Sequence, residues 1–448
     1  MHRPWRVIVL RHPIIPSFVD FVVECSVAPQ SSSQRPAGTR RLGVLAGLAI
    51  VLTAVNLRTA VTGFTPLLEI IGADLGYGVL VAGLLGTVPA AAFGVFGFLA
   101  PVVTRRFGLE RTAAVAMALT ALALVARTYS STPVALVAST VLALAGIGAA
   151  NVVIVPLVKA WFPGRVALWT SLYLISMQTG QFVAPLLAVP VAQATSWRLS
   201  VGMWVGPIAL AGLAWLVVTT RLPGRGGATP RRDAPAASVS ARPRLGNSAI
   251  VWGLVILFAM ISVSNYGIIT WVPAMITHAG GTAALGGSMV GLYSAWGVVA
   301  ALVVPQLTVR LRRPFVVVVV CSIFLVAGYV GLLVSPLVGT PLWMCALGIG
   351  VSTFPLCMTL INVRTRTTQS ASVVSGFVQG VGYALAAVAP FGLGLLREAT
   401  GSWTVPLLVL AASAVPSLIG GWFACRPRFV EDSLPGVRAR DADRLPQP

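Results

Sequence analysis

Charge is scarce in this chain. Only 9% of its 448 residues are Asp, Glu, Lys or Arg, while 57% are hydrophobic, which leaves too little polar surface to cover a soluble globule of this size. The sequence therefore describes an integral membrane protein. Its single lysine, Lys159, lies in VPLVKAWFP, whereas a phosphate-binding loop needs a lysine directly after its glycines, so ATP-driven transport by this chain is excluded. The three histidines, His2, His12 and His278, and all the acidic residues fall outside the interiors of the long apolar runs. No membrane-embedded carboxylate or histidine relay is expected, nor the clustered Asp, Ser-Lys pair or metal ligands of an intramembrane enzyme. The five cysteines, Cys25, Cys321, Cys345, Cys357 and Cys425, have no metal or redox spacing and read as small apolar fillers or tail residues. Neither a metal nor a cofactor is expected.

What the chain does have is apolar length. Twelve runs reach the roughly 20 residues a bilayer-spanning helix needs: 42–68, 79–103, 111–128, 133–158, 166–190, 198–220, 248–272, 285–309, 314–335, 339–361, 369–396 and 403–424. All are expected as helices, because a span in lipid must satisfy its own backbone and these runs are too long and evenly apolar for barrel strands. The formal charge of +20 would suggest a nucleic-acid partner if read alone. Its basic residues instead fall in short segments between the runs, so they read as topology signals and no nucleic acid is expected. One set of alternate segments holds Arg40 and Arg41; Arg105, Arg106 and Arg111; Lys159 and Arg165; six arginines from Arg221 to Arg244; Arg310, Arg312 and Arg313; Arg364 and Arg366; and Arg426 and Arg428. The other holds only Arg127, Arg198 and Arg397. The first set is expected to be cytoplasmic, giving a multi-pass protein of the inner (plasma) membrane with both termini inside.

A Pro, Gly, Ala, Ser and Arg-rich stretch at 221–247 divides the spans six and six and reads as a flexible cytoplasmic linker. It separates an N-terminal six-helix bundle, 42–220, from a C-terminal one, 248–424. Tails at 1–41 and 425–448 are expected to be disordered. The two bundles echo each other: Pro101, Thr104 and Arg106 recur as Pro305, Thr308 and Arg310, Gly146-Ile147-Gly148 as Gly348-Ile349-Gly350, and Pro185, Ala194 and Thr195 as Pro390, Ala399 and Thr400. A repeat of an even number of spans keeps its orientation, so the halves are parallel, related by an axis along the membrane normal.

Six plus six spans with parallel halves and a polar linker resemble the major facilitator superfamily, and within it the cyanate permease family, which includes transporters of cyanate and 2-nitroimidazole. The residues that carry the likeness are Asn56-Leu57-Arg58 leading to Pro66, the segment GIGAANVVIVP from Gly146 to Pro156 with Lys159, and SGFVQGVGYALAAVAPFGLGLL from Ser375. The likeness extends over roughly residues 40 to 425. It implies an all-α protein of twelve transmembrane helices in two parallel six-helix repeats, working as a single-chain secondary transporter for a small anionic or polar solute. One departure is visible between the second and third runs, where Pro101 replaces the first glycine of the superfamily signature and Arg105 stands where its acid belongs.

Arg58 is the most informative single residue. It sits near the middle of the first run with no acid inside that run, and an arginine at a helix centre costs roughly 2.5 to 3.5 kcal/mol on insertion scales. Such a residue normally faces a water-filled cavity, the alternative being one that snorkels to a helix end. Its planar fork suits a carboxylate, nitro or cyanate-like group. Asn56 is close in sequence but about 200° away around the helix, so it can bond a neighbouring helix instead. Asn151 follows the small-residue stretch of the fourth run. Tyr173, Met177 and Gln181 form one stripe on the fifth, and Gln379 and Tyr383 share that spacing on the eleventh; such stripes are either helix-to-helix glue or site. Tyr266 and Asn265 lie mid-way along the seventh run, with Trp271 further out as interface anchor or gate, and Tyr293 and Trp296 of the eighth share that ambiguity. The expected protein is a monomeric carrier of a small solute with candidate site residues Arg58, Asn56, Asn151, Tyr173, Gln181, Tyr266, Trp271, Gln379 and Tyr383. The alternative is an exporter of neutral or cationic drugs, against which the Arg58 charge argues in the cationic case.

Overall fold

A computed structural model describes residues 37–221, 248–366 and 368–433. The linker expected at 221–247, beyond its first residue, lies outside the described residues, as do 1–36 and 434–448. Helix begins already at Ala37. The described residues are helical throughout, and among them are twelve stretches long and apolar enough to cross a membrane: α1 (Leu42–Leu75), α2 (Val79–Phe96, helical on to Phe107), α3 (Leu109–Thr128), α4 (Pro133–Trp161), α5 (Leu168–Ala194), α6 (Trp197–Thr220), α7 (Ala249–His278), α8 (Ala283–Arg310), α9 (Phe315–Val334), α10 (Thr340–Val363), α11 (Val373–Thr400) and α12 (Thr404–Ala424). Large apolar side chains such as Leu122, Leu210, Leu213, Ile323 and Leu342 stand more than half exposed on their outer faces, the surface that lipid covers.

Four spans are broken. α1 ends its regular helix at Thr62, passes through a 3-10 turn at Thr65–Leu67 built on Pro66, and resumes as Leu68–Leu75. The first span is therefore longer than hydropathy indicates, and it carries Glu69 and Asp74 on its last turns. Gly76, at φ 70°, stops it in the left-handed conformation that glycine adopts without a Cβ penalty. α6 breaks at Met203 and Trp204, α10 at Val351 and Ser352, and α12 at Ser413.

The helix contacts show the repeat again. α3 packs on α4 and α6 as α9 packs on α10 and α12, and α2 on α4 as α8 on α10. The long contact of α2 with α11 has its counterpart in that of α8 with α5. Each of these pairs becomes another when six is added to or subtracted from both span numbers, the relation that parallel halves impose.

The first part of the C-terminal tail, expected to be disordered, is folded as far as Ser433. Val430 is buried and its N–H donates to the Arg364 carbonyl at 2.9 Å, the Arg364 guanidinium donates to the Cys425 carbonyl at 2.9 Å, and Arg366 pairs with Asp432 at 2.7 Å. These contacts use the very arginines that the sequence offers only as topology signals. A buried valine and satisfied backbone groups offset the entropy of ordering this segment.

Candidate functional site

A cavity of about 500 Å³ lies among α1, α5, α7, α8, α10 and α11. Arg58 and Thr62 come from α1, Met177, Gln178 and Gln181 from α5, Asn265 and Tyr266 from α7, Tyr293 and Ser294 from α8, Ser352, Thr359 and Asn362 from α10, and Tyr383 from α11. Among the described residues that line it, Arg58 is the one charged group. Exposed Ser171 and Asn362 place its mouth beside the arginine-bearing loops at the start of α5 and the end of α10.

Arg58 is held as an unpaired cation. Its guanidinium lies over the Phe93 ring at 4.9 Å, a cation–π contact, and against the hydroxyls of Tyr266 and Tyr383. The rings of Phe93, Tyr266 and Tyr383 form one cluster, with Tyr383 6.0 Å from Phe93 and 6.4 Å from Tyr266. The Arg58 Nε is buried without a partner. A tyrosine oxygen that accepts from a guanidinium keeps its own proton free to donate, so this end of the cavity presents donors and lacks a carboxylate. Further along the wall Tyr293 donates to Asn265 Oδ1 at 2.8 Å, tying α8 to α7.

The opposite end is closed. The Trp271 indole fits a slot between Gly83 of α2 and Gly394 of α11, where added Cβ atoms would come within 3.2 and 2.8 Å of the ring, and its Nε1 donates to the Pro390 carbonyl at 2.8 Å. Beyond it Thr277 of α7 bonds Glu69 of α1, and Arg397 lies 3.4 Å from the His278 ring. Trp271 is thus buried between α2 and α11 and does not line the cavity.

Of the nine residues singled out in the sequence, the cavity brings together Arg58, Gln181, Tyr266 and Tyr383. Asn56 stands apart: fully buried, it donates to Leu52 O at 2.7 Å and accepts from Thr59 at 3.3 Å, so its amide is satisfied within its own helix. Gln379 donates one turn back to Ser375 Oγ at 2.7 Å. Tyr173 packs against the core around α1, and Asn151 is half-buried outside the cavity lining. Each stripe thus divides, Met177 and Gln181 facing the cavity and Tyr173 not, Tyr383 facing it and Gln379 not.

Sequence reasoning missed Gln178, Ser294, Ser352, Thr359 and Asn362. For Gln178 the spacing to Gln181, three residues on and hence on one helix face, was a usable signal. Its amide fills the place where a Cβ on Gly297 of α8 would stand. Gly297→Ala is expected to push that amide into the cavity, raising the apparent substrate constant several-fold at unchanged protein level. Uptake kinetics in whole cells against immunoblotted protein measure both.

Helices of membrane-spanning length, packed in two matched sets around a central cavity with one open and one closed end, define a transmembrane carrier. The major facilitator superfamily model matches residues 48–390, and the chain belongs to that superfamily; it is a transporter and not an enzyme. It is 29% identical over 402 residues to the 2-nitroimidazole transporter of Escherichia coli (strain K12), covering 88% of this chain and 98% of that protein. Identity to the cyanate transport protein CynX of the same organism is 25% over 362 residues, 80% of this chain and 91% of that one. Among solved structures, a bacterial homologue of the human lysosomal transporter Spinster superposes with a TM-score of 0.62 at 14% identity, over 88% of this chain and 95% of that one, a likeness of fold.

Proposed function

We propose that this protein is a secondary carrier of small organic anions or strongly polar acceptors, bound with their charged or nitro group on Arg58. The observation that carries this reading is the unpartnered Nε of a guanidinium inside a cavity whose described lining holds no carboxylate. An anion offsets the cost of that buried charge, whereas a cation adds to it. The Tyr266 and Tyr383 hydroxyls complete a donor set for a carboxylate or nitro group. Val61, Met177, Ile261, Ile269 and Met358 supply apolar walls. A cavity of about 500 Å³ with such walls suits a planar organic body better than triatomic cyanate, which would leave the walls wet. The names of the relatives, a 2-nitroimidazole and a cyanate transporter, fall within this class of ligand.

In this reading the halves, 42–220 and 248–424, alternate about the cavity in a monomer of the plasma membrane. The arginine-rich loops are cytoplasmic, so the state described is open to the inside. The test is a thermal-shift screen of purified protein against nitroimidazole, benzoate, cyanate and a lipophilic cation, with Arg58→Ala as control. Saturable stabilisation by nitro compounds and carboxylates, absent in the variant, is the expected result. Equal stabilisation by the cation in both proteins would establish the drug-exporter alternative instead.

A further inference from the structure

Arg127 is a second arginine without an acid. By sequence it belongs to a loop near the outer end of α3, yet its side chain is 1% exposed. Nη1 donates to the Ala60 carbonyl of α1 at 3.1 Å, and the guanidinium carbon lies 3.2 Å from the centre of the Phe64 ring. Nε and Nη2 are buried without partners, and so is Nε1 of Trp204, the residue at which α6 breaks. Arg127 and Trp204 wall one small cavity behind α1, closed by Thr59, Gly63, Leu124 and Val201, with about 10 Å³ of room. That volume suits one occupant of about the size of a water molecule.

The wall selects among such occupants. Its unpartnered groups are all donors. The Ala60 carbonyl already accepts from Arg127, and the Thr59 hydroxyl is directed to Asn56. A water could pass its protons to spare lone pairs of Thr59 Oγ1 and the Ala60 carbonyl, but it accepts from at most two donors and leaves the cation uncompensated. A monoatomic anion accepts from every free N–H and neutralises the charge. From these contacts we propose that this pocket holds a single halide, chloride in the cell, as a structural ion. It would brace the break in α1 between Thr62 and Thr65 and, two residues before Ala60, the position of Arg58. This site lies outside the described lining of the central cavity, so it stands independently of the transported substrate.

The test uses purified full-length protein in sodium chloride, bromide or gluconate at equal ionic strength. Chloride and bromide are expected to raise the thermal midpoint by roughly 3 °C or more over gluconate, with saturation. Arg127→Met is expected to abolish the difference. Should that variant not fold, Trp204→Phe, which removes one donor and keeps the charge, is expected to raise the half-saturating bromide concentration several-fold. Crystals grown in bromide are expected to show an anomalous peak in contact with the guanidinium and the position of Nε1. Equal midpoints in gluconate and chloride, a Trp204→Phe protein titrating like wild type, or an ordered water in place of the peak would each overturn the assignment.

Discussion

Arg58→Ala protein is expected to reach the membrane at wild-type level, to be at least as heat-stable without ligand as the parent, and to lose organic-anion transport by about two orders of magnitude or more. The two effects have opposite signs because one group causes both. Without substrate, Arg58 is a cation with an unpartnered Nε, and insertion scales put the cost of such a residue at about 2.5 to 3.5 kcal/mol. Removing it relieves that cost. With substrate bound, removing one partner of a desolvated charge pair costs about 3 to 5 kcal/mol, and about 1.4 kcal/mol is a factor of ten in binding. Arg58→Lys keeps the charge but loses the planar fork, so it is expected to fall between the two, with a raised substrate constant and measurable maximal flux. Proteoliposome uptake paired with thermal denaturation reads both quantities. Wild-type flux in a well-folded Ala protein would remove Arg58 from the site.

The sequence makes Arg58 legible because a charge in an apolar run has few explanations. It makes the fold legible for a related reason, since hydropathy and arginine placement act over whole spans and tolerate errors of a few residues. Short-range side-chain chemistry is less visible. Asn56 and Gln379 look like site residues by type, yet a helix offers a carbonyl or hydroxyl one turn away, and both take it. Stripes such as Tyr173, Met177 and Gln181 give a helix face without saying which way it turns. Breaks matter too: the interruption of α10 at Val351 and Ser352 helps set Ser352, Thr359 and Asn362 on the cavity wall, and no periodicity within the run 339–361 announces it. Arg127 was hidden by its place near the end of a run, where an arginine normally reaches water.

Gly86→Leu is expected to hold the carrier in the opposite conformation and to reduce net transport by roughly 10- to 100-fold while leaving the substrate site intact. At the closed end α2 lies against α7 and α11, and a Cβ on Gly86 would stand 2.5 Å from Thr270 Cγ2 and 3.0 Å from Pro390 Cβ. Thr270 is buried, so it has little room to yield, and overpacking a tight contact costs about 1 to 3 kcal/mol. Separation of the two halves at that end relieves the clash, so the cost becomes a population shift of up to roughly 100-fold toward the state with the other end shut. Gly392→Leu, on α11 where a Cβ meets nothing within 4 Å, is the matched control. Ser171→Cys, at the open mouth of the cavity and in a background with the five cysteines replaced by alanine, reports the shift through its labelling rate with an impermeant thiol reagent. That rate is expected to fall about tenfold or more in Gly86→Leu and to stay unchanged in Gly392→Leu. Equal labelling in all three proteins would mean that the α2 to α11 contact is a fixed part of the scaffold, and that the closed end opens by some other route.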